Sequence, residues 1–271
     1  MSIESKIEWT EASWSPVVGC SKVSFGCQNC YAINHAWRLG HNPNPKINSV
    51  YSGLVKKNDD GSLNWTGESR AIESRLDWPL RIKTPKRIFV NPMADLFHRD
   101  IKLEFIKKVF DVMRRAYWHT FQILTKRQAI MWARVDDVYT SWLQENIDSI
   151  TPLPNLWLGV SVEDQESANR IGLLQETRAA VRFISCEPLL QPVDLSPWLK
   201  DGDIHLVIVG GESGKGARPM KREWVEDIKN QCVAAGVDFF FKQEMDGKKK
   251  ISLPILDGRT WAEMPSMEGR Q

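Results

Sequence analysis

The stretch HLVIVGGESGKGARPMKREWVEDIKNQCVAAGVDFFFK, residues 205–242, carries the fold in miniature. It opens on the apolar run HLVIVGG (205–211) and closes on VDFFFK (237–242). Both runs are bulky and nearly unbroken, the pattern of strands buried on two faces. Between them Val225, Ile228 and Cys232 recur at helical spacing. Strand, helix and strand in that order imply a right-handed βαβ unit with its strands parallel.

The unit recurs upstream. RIFVN (87–91), TFQIL (120–124), LWLGVSV (156–162) and VRFIS (181–185) are further strand-like runs. Between the first two, Ile106, Val109, Phe110, Met113 and Tyr117 share one helical face. The connection 188–203 contains Pro192 and Pro197, so a short or irregular crossover is expected there. A short strand is expected near Trp14 to Val18. Residues 40–70, with HNPNP and KKNDDGS, read as loop, followed by a helix from Glu68 to Arg75. The expected architecture is α/β: a partial (β/α)6-type barrel of parallel strands, one domain over residues 1–271, with a loop-rich insertion at approximately 40–75 after the cysteine motif.

A chain of 271 residues can bury one large core, and 42% hydrophobic with 26% charged residues excludes disordered and fibrous classes. No apolar run has signal-peptide or membrane-spanning length, which points to a soluble, cytoplasmic protein with no membrane partner. The net charge of +2, from 36 basic and 34 acidic residues, announces no polyanionic partner. Two local basic runs, RIKTPKR (81–87) and GKKK (247–250), read first as solvated faces and second as phosphate contacts. Twelve tryptophans supply faces that can stack on bases, although most such rings are packing.

Polar residues follow nearly every apolar run: Asn91 and Asp95, Thr125 and Lys126, Ser161 and Glu163, Ser185 and Glu187, Glu212 and Ser213, Lys242 and Gln243. In parallel α/β folds these carboxyl ends converge on one face, where sites are built. Helix starts also want such residues, so Asp164 or Thr125 could serve as caps alone. Glu187 precedes Pro188, which pushes it toward extended geometry at its strand end. VGGESGKGARPM lets backbone amides approach a ligand but lacks the order of a P-loop.

Five cysteines are an odd number, and Cys20, Cys27 and Cys30 fall within eleven residues as C-x6-C-x2-C. That suits metal ligation in a reducing compartment, with Cys186 and Cys232 as buried packing residues. Two readings of the triad compete. Zinc would take His35 or His41 as fourth ligand; a [4Fe-4S] cluster uses three thiolates and leaves one iron open. The triad precedes the first long strand, so its loop is expected to face the polar strand ends.

GCSKVSFGCQNCYA (19–32) resembles the cluster signature of the radical SAM superfamily, in particular its spore photoproduct lyase-like members. IEWTEASWSPVVGCSKVSFGCQNCYA, ILTKR, FISCEPLL, IVGGESGKGARPM and FFFKQ extend the resemblance along the chain, closest to a radical-SAM-like family of phages and prophages. The resemblance implies a [4Fe-4S] cluster on Cys20, Cys27 and Cys30, with S-adenosylmethionine (SAM) bound at the fourth iron and cleaved reductively. It also implies an electron donor such as flavodoxin or ferredoxin. A zwitterionic cofactor needs donors and acceptors, expected from Lys126, Ser161 and Glu163, with Asn91 and Asp95 at the second strand end. Glu187, Glu212 and Arg218 are expected on the rim as catalytic contacts. A nucleic acid or nucleoside is the expected substrate, and the alternative is a zinc-stabilised nucleic-acid-binding or interaction protein without catalysis. Two departures stand out: the superfamily spacing is C-x3-C-x2-C, and its Gly-Gly-Glu stretch follows the second strand, whereas Gly210, Gly211 and Glu212 follow a late one.

Overall fold

A computed structural model describes residues 1–145, 147, 152–214, 216–247 and 249–266. Lys215 of the glycine-rich segment and Lys248 of the GKKK run lie outside the described residues. The chain begins with two short strands, β1 (Ala12–Trp14) and β2 (Val17–Gly19), and then α1 (Tyr31–Gly40), α2 (Pro45–Tyr51), β3 (Val55–Lys57), β4 (Leu63–Trp65), β5 (Ser69–Ala71) and α3 (Trp78–Arg81). From there strands and helices alternate: β6 (Arg87–Val90), α4 (Leu103–Arg115), β7 (Thr120–Thr125), α5 (Gln128–Gln144), β8 (Leu156–Ser161), α6 (Arg170–Glu176), β9 (Val181–Cys186), α7 (Ser196–Leu199), β10 (Leu206–Gly210), α8 (Arg222–Ala235) and β11 (Asp238–Asp246), closed by β12 (Lys249–Ser252).

One curled sheet results, ordered β1-β6-β7-β8-β9-β10-β11-β12. Every pairing is parallel except β11 with β12. Each new strand is laid beside the last, so all carboxyl ends emerge at one rim. Side chains alternate along the strands. Leu156, Leu158, Val160, Ile184, Cys186, Val207, Val209, Phe239 and Phe241 pack against the helices in the main core. Phe89, Trp157, Val181, Phe183, Leu206, Ile208 and Phe240 fill the other face together with Trp9. The N-terminal segment thus enters the concave side, with the Trp9 ring 4.6 Å from that of Phe89. Gly159 shares this face, and a Cβ there would stand 2.5 Å from the Phe183 ring.

The crossover at 188–203 is indeed short, with only the single turn α7. Cys186 and Cys232 are wholly buried, as expected. Tyr117 departs from expectation: α4 stops at Arg115, and the ring is 77% exposed. The chain turns there because buried His119 anchors the next strand, its Nδ1 accepting from Lys86 N and its Nε2 lying 3.0 Å from Ile82 O. The insertion is more ordered than its composition suggests. Val55, Trp65 and Leu54 join Val18, Ala32, Ile33 and Ala36 in a small core of their own. The expected helix at 68–75 is instead β5, paired antiparallel with β2, and one 3-10 turn at Glu73–Arg75. The strand expected near 14–18 is split between β1 on the main sheet and β2 on this small one.

Candidate functional site

The segment between β2 and α1 carries all three clustered cysteines. It leaves β2 at Gly19, whose φ of +82° and 2.3 Å from a built Cβ to Glu68 O admit no other residue without a shift. A 3-10 turn spans Phe25–Cys27, and Cys30 caps the start of α1. Three carboxylates from three strand ends hold this loop over the rim of the sheet.

Asp95 is the first. It pairs with Arg127 at 2.6 Å, both side chains nearly buried, and Thr125 Oγ1 donates to it. Arg127 in turn donates to Ser21 O and Oγ at 2.9 Å, and its Nη1 stands 3.8 Å from Cys20 Sγ. Glu163, wholly buried, is the second. It accepts from Ser24 Oγ at 2.8 Å, from Arg170 at 2.7 Å and from Lys126 Nζ. Gly26 lies directly against it, because a Cβ on Gly26 would come within 2.4 Å of its side chain. Glu212 is the third, gripped by Arg218 through two nitrogens, at 2.6 and 3.0 Å. It also accepts from Asn29 Nδ2 at 2.9 Å, while Arg218 donates to Phe25 O and lies over the Phe25 ring at 4.5 Å.

These arrangements set the charges. Burial alone would raise the Glu163 carboxyl, but Lys126, Arg170 and their hydrogen bonds bring it below its ordinary value. Glu212 is likewise lowered against its burial, by hydrogen bonds from Arg218 and Asn29. Burial, then the Asp95 carboxylate, push the Cys20 thiol up to about 12, with Arg127 acting in the opposite sense. Burial also raises Cys30.

Beneath the loop lies a cavity of about 390 Å³, within the range of small-molecule sites. Cys20, Cys27 and Cys30 line it, together with Asn91, Asp95, Lys126, Ser161, Glu187 and Glu212. Sheet alternation explains the floor. Ser161 shares the inward parity of Trp157, Ser185 that of Phe183, and Lys242 that of Phe240. Glu187 pairs with Lys242 at 2.7 Å and accepts from Ser185 Oγ at 3.1 Å. A Cβ on Gly210 would stand 2.7 Å from its Oε1, so glycine is what lets the carboxylate lie there. Asn91 has φ +57° and its Oδ1 accepts from Val17 N at 3.0 Å, while its buried Nδ2 has no partner.

Nine of the eleven residues expected from sequence as cluster ligands, cofactor contacts or catalytic contacts therefore meet at one cavity. The other two, Glu163 and Arg218, touch the cysteine loop from outside the lining. Asp164 is a cap, accepting from Ser167 N at 2.8 Å. Thr125 caps Arg127 N and also serves Asp95. His35 bonds Arg38 and His41 lies against Trp37, and neither lines the cavity. RIKTPKR is absorbed structurally: Lys83 donates to Leu80 O and covers the Trp118 ring. Among the described residues no group of three His, Cys, Asp or Glu side chains is arranged to hold a metal ion.

Sequence reasoning missed Arg127, Arg170, Asn29 and the N-terminal residues 6–9. Arg127 was the recoverable one, adjoining Lys126 at the end of ILTKR. Residues 6–9 line the cavity only because the chain folds back into the sheet, which no local pattern signals.

No curated protein and no solved structure matches the chain. A family model does, that of DUF5131, a protein of unknown function, over residues 4–265. That span takes in the inserted Trp9, the cysteine loop and every strand of the curled sheet, so this chain belongs to the DUF5131 family.

Proposed function

We propose that the chain is an iron–sulfur, SAM-dependent radical enzyme, its sheet a partial barrel of the (β/α)6 type. One observation carries the reading: three free cysteines on a single loop line the same cavity as the polar ends of the parallel strands. The donor set suits a [4Fe-4S] cluster, since thiolates are its usual ligands. Each thiolate would take a different iron, so the three need not crowd as ligands of one ion must. Bound there, the cluster would supply the electron for reductive cleavage of SAM.

This chain's own residues do the rest. Asp95 with Arg127, Glu163 with Lys126 and Arg170, and Glu212 with Arg218 fix the loop that presents the thiols. Lys126, Ser161 and the unpartnered amide of Asn91 offer donors to a carboxylate, and Glu187 offers an acceptor to an amine. Unpaired cysteines and an electron donor such as flavodoxin or ferredoxin fit the cytoplasm. Among the described residues no helix is long and apolar enough to cross a membrane.

Anaerobic reconstitution with iron and sulfide tests the proposal. About four of each per chain are expected, lost on replacing Cys20, Cys27 or Cys30 by Ala and kept in Cys186→Ala and Cys232→Ala. One tightly held zinc per chain, with no iron uptake, would return the assignment to a zinc-stabilised nucleic-acid-binding or interaction protein.

A further inference from the structure

The charge of the chain is balanced in sum but not in place. Between Glu11 and Asp59 there is no acidic residue, although the whole chain carries 34, and the same stretch holds Lys22, Arg38, Lys46, Lys56 and Lys57. The fold gathers this stretch into one lobe: the cysteine loop, α1, α2 and β3 close on the small core of Val18, Ile33, Ala36 and Leu54. All five cations are exposed, and among the described residues none of them pairs with a carboxylate. The next acids along the chain, Asp59 and Asp60, sit in the turn between β3 and β4, and Glu68 is taken by Arg70 at 2.6 Å.

Helix α1 gives the lobe a direction. Its residues Ala32, Ile33 and Ala36 are buried, while Tyr31, Asn34, Arg38 and His41 recur at i, i+3, i+7 and i+10 on the opposite, exposed face. This line starts at the cavity, because Tyr31 is one of the lining residues and yet 55% exposed, its hydroxyl donating to Pro92 O. It runs for about 15 Å, the length of ten helical residues. At its far end Asn48 Nδ2 donates to Gly40 O at 2.6 Å and brings in α2, with the exposed Lys46 in its first turn. A basic, polar track therefore leads out from the mouth of the cavity, and an accessible aromatic ring stands at its head.

We infer that this lobe docks a single-stranded nucleic acid, its phosphates lying along α1 to Arg38 and Lys46 and an unpaired base stacking on Tyr31 at the mouth of the cavity. Five cations with no acid among them favour a polyanion, which gains by releasing its counterions on binding. An acidic peptide would meet the cations equally well. The ring of Tyr31 favours nucleic acid, because every base has a flat face to cover it, and an unpaired strand is what leaves that face free. The net charge of the chain hides the track, since acids elsewhere cancel it. Docking depends on the proposed function in no step; only the chemistry done on the nucleotide that reaches the cavity rests on that reading.

The test uses the full chain free of iron and SAM. Fluorescence anisotropy with a labelled single strand of mixed sequence, as DNA and as RNA and at several salt concentrations, should give saturable binding to at least one of them. The logarithm of the affinity should fall with the logarithm of the salt concentration, by a slope of about 0.7 for each phosphate met. Replacing both Arg38 and Lys46 by Gln should reduce that slope by about 1.4, two contacts' worth, while Lys200→Gln, an exposed cation at the end of α7, leaves it unchanged. Tyr31→Leu should weaken binding about fivefold or more at an unaltered slope, and Tyr31→Trp should retain it, because the stack and not the charge is what changes. Absence of saturable binding overturns the inference, as does an equal effect of Lys200→Gln. Tighter binding of duplex, or of polyaspartate, than of the single strand overturns it too. A chain that takes up iron and sulfide but binds no strand keeps the proposed function and loses this inference; one that binds the strand but takes up no iron does the reverse.

Discussion

Glu163→Gln removes a charge from the most completely buried of the three carboxylates that hold the cysteine loop. The side chain is 0% exposed, and its partners Lys126 and Arg170 are 18% and 12% exposed, so water screens the triad poorly. Glutamine keeps the volume and can still accept from Ser24, which leaves the loss chiefly electrostatic. Taking one partner from a buried ion pair costs roughly 3–5 kcal/mol, because the remaining charge is left uncompensated. With some relaxation toward solvent by Lys126, a loss of about 3 kcal/mol is expected at pH 7. Glu163 titrates below the ordinary carboxyl range in the folded protein. Its contribution is thus complete above the unfolded-state value of about 4.3 and is lost as pH falls through the lower native one. Urea unfolding of parent and variant at neutral pH and through the acid range reads both effects. A difference under about 1 kcal/mol at pH 7, or one that stays constant down to acid pH, would refute the argument.

Gly159→Ala should destabilise by roughly 1–3 kcal/mol or prevent folding, since its Cβ would stand 2.5 Å from the Phe183 ring; an unchanged thermal midpoint would show that the ring can move. Arg218→Met should loosen the cysteine loop near Phe25 and Asn29 and speed proteolysis there, while the far ends of β7 and β8 keep their hydrogen-exchange protection. In the metal-free chain Cys20 should be alkylated slowly at pH 8, where a thiol titrating at about 12 is ionised only to about one part in ten thousand; rapid labelling by mass spectrometry contradicts the burial argument. Glu187→Gln should keep iron uptake but lose SAM cleavage, followed as 5'-deoxyadenosine release under dithionite, because a fixed charge beside a reacting centre positions what binds there. Parental cleavage would leave Glu187 as a partner of Lys242 only.

What the amino-acid order determined by itself is whatever repeats locally. Apolar runs such as LWLGVSV and VDFFFK report strands buried on both sides, and Val225, Ile228 and Cys232 report a helical face, because each pattern is set by the period of its own backbone. Parallel order then forces Asn91, Lys126, Ser161, Glu187 and Glu212 to one rim, which is why they are legible from the order of the elements alone. The three cysteines were legible from spacing. Only the tertiary structure decided which polar residues face the cavity and which hold the loop. Glu163 and Ser161 are two positions apart, yet one is sealed under Gly26 between two cations and the other lines open space. Nor could periodicity place Trp9 inside the sheet or turn residues 69–71 into a partner for β2, since both depend on contacts between segments distant in sequence. Burial and pairing are properties of those long-range meetings, and a carboxylate's role follows from the cations that meet it there.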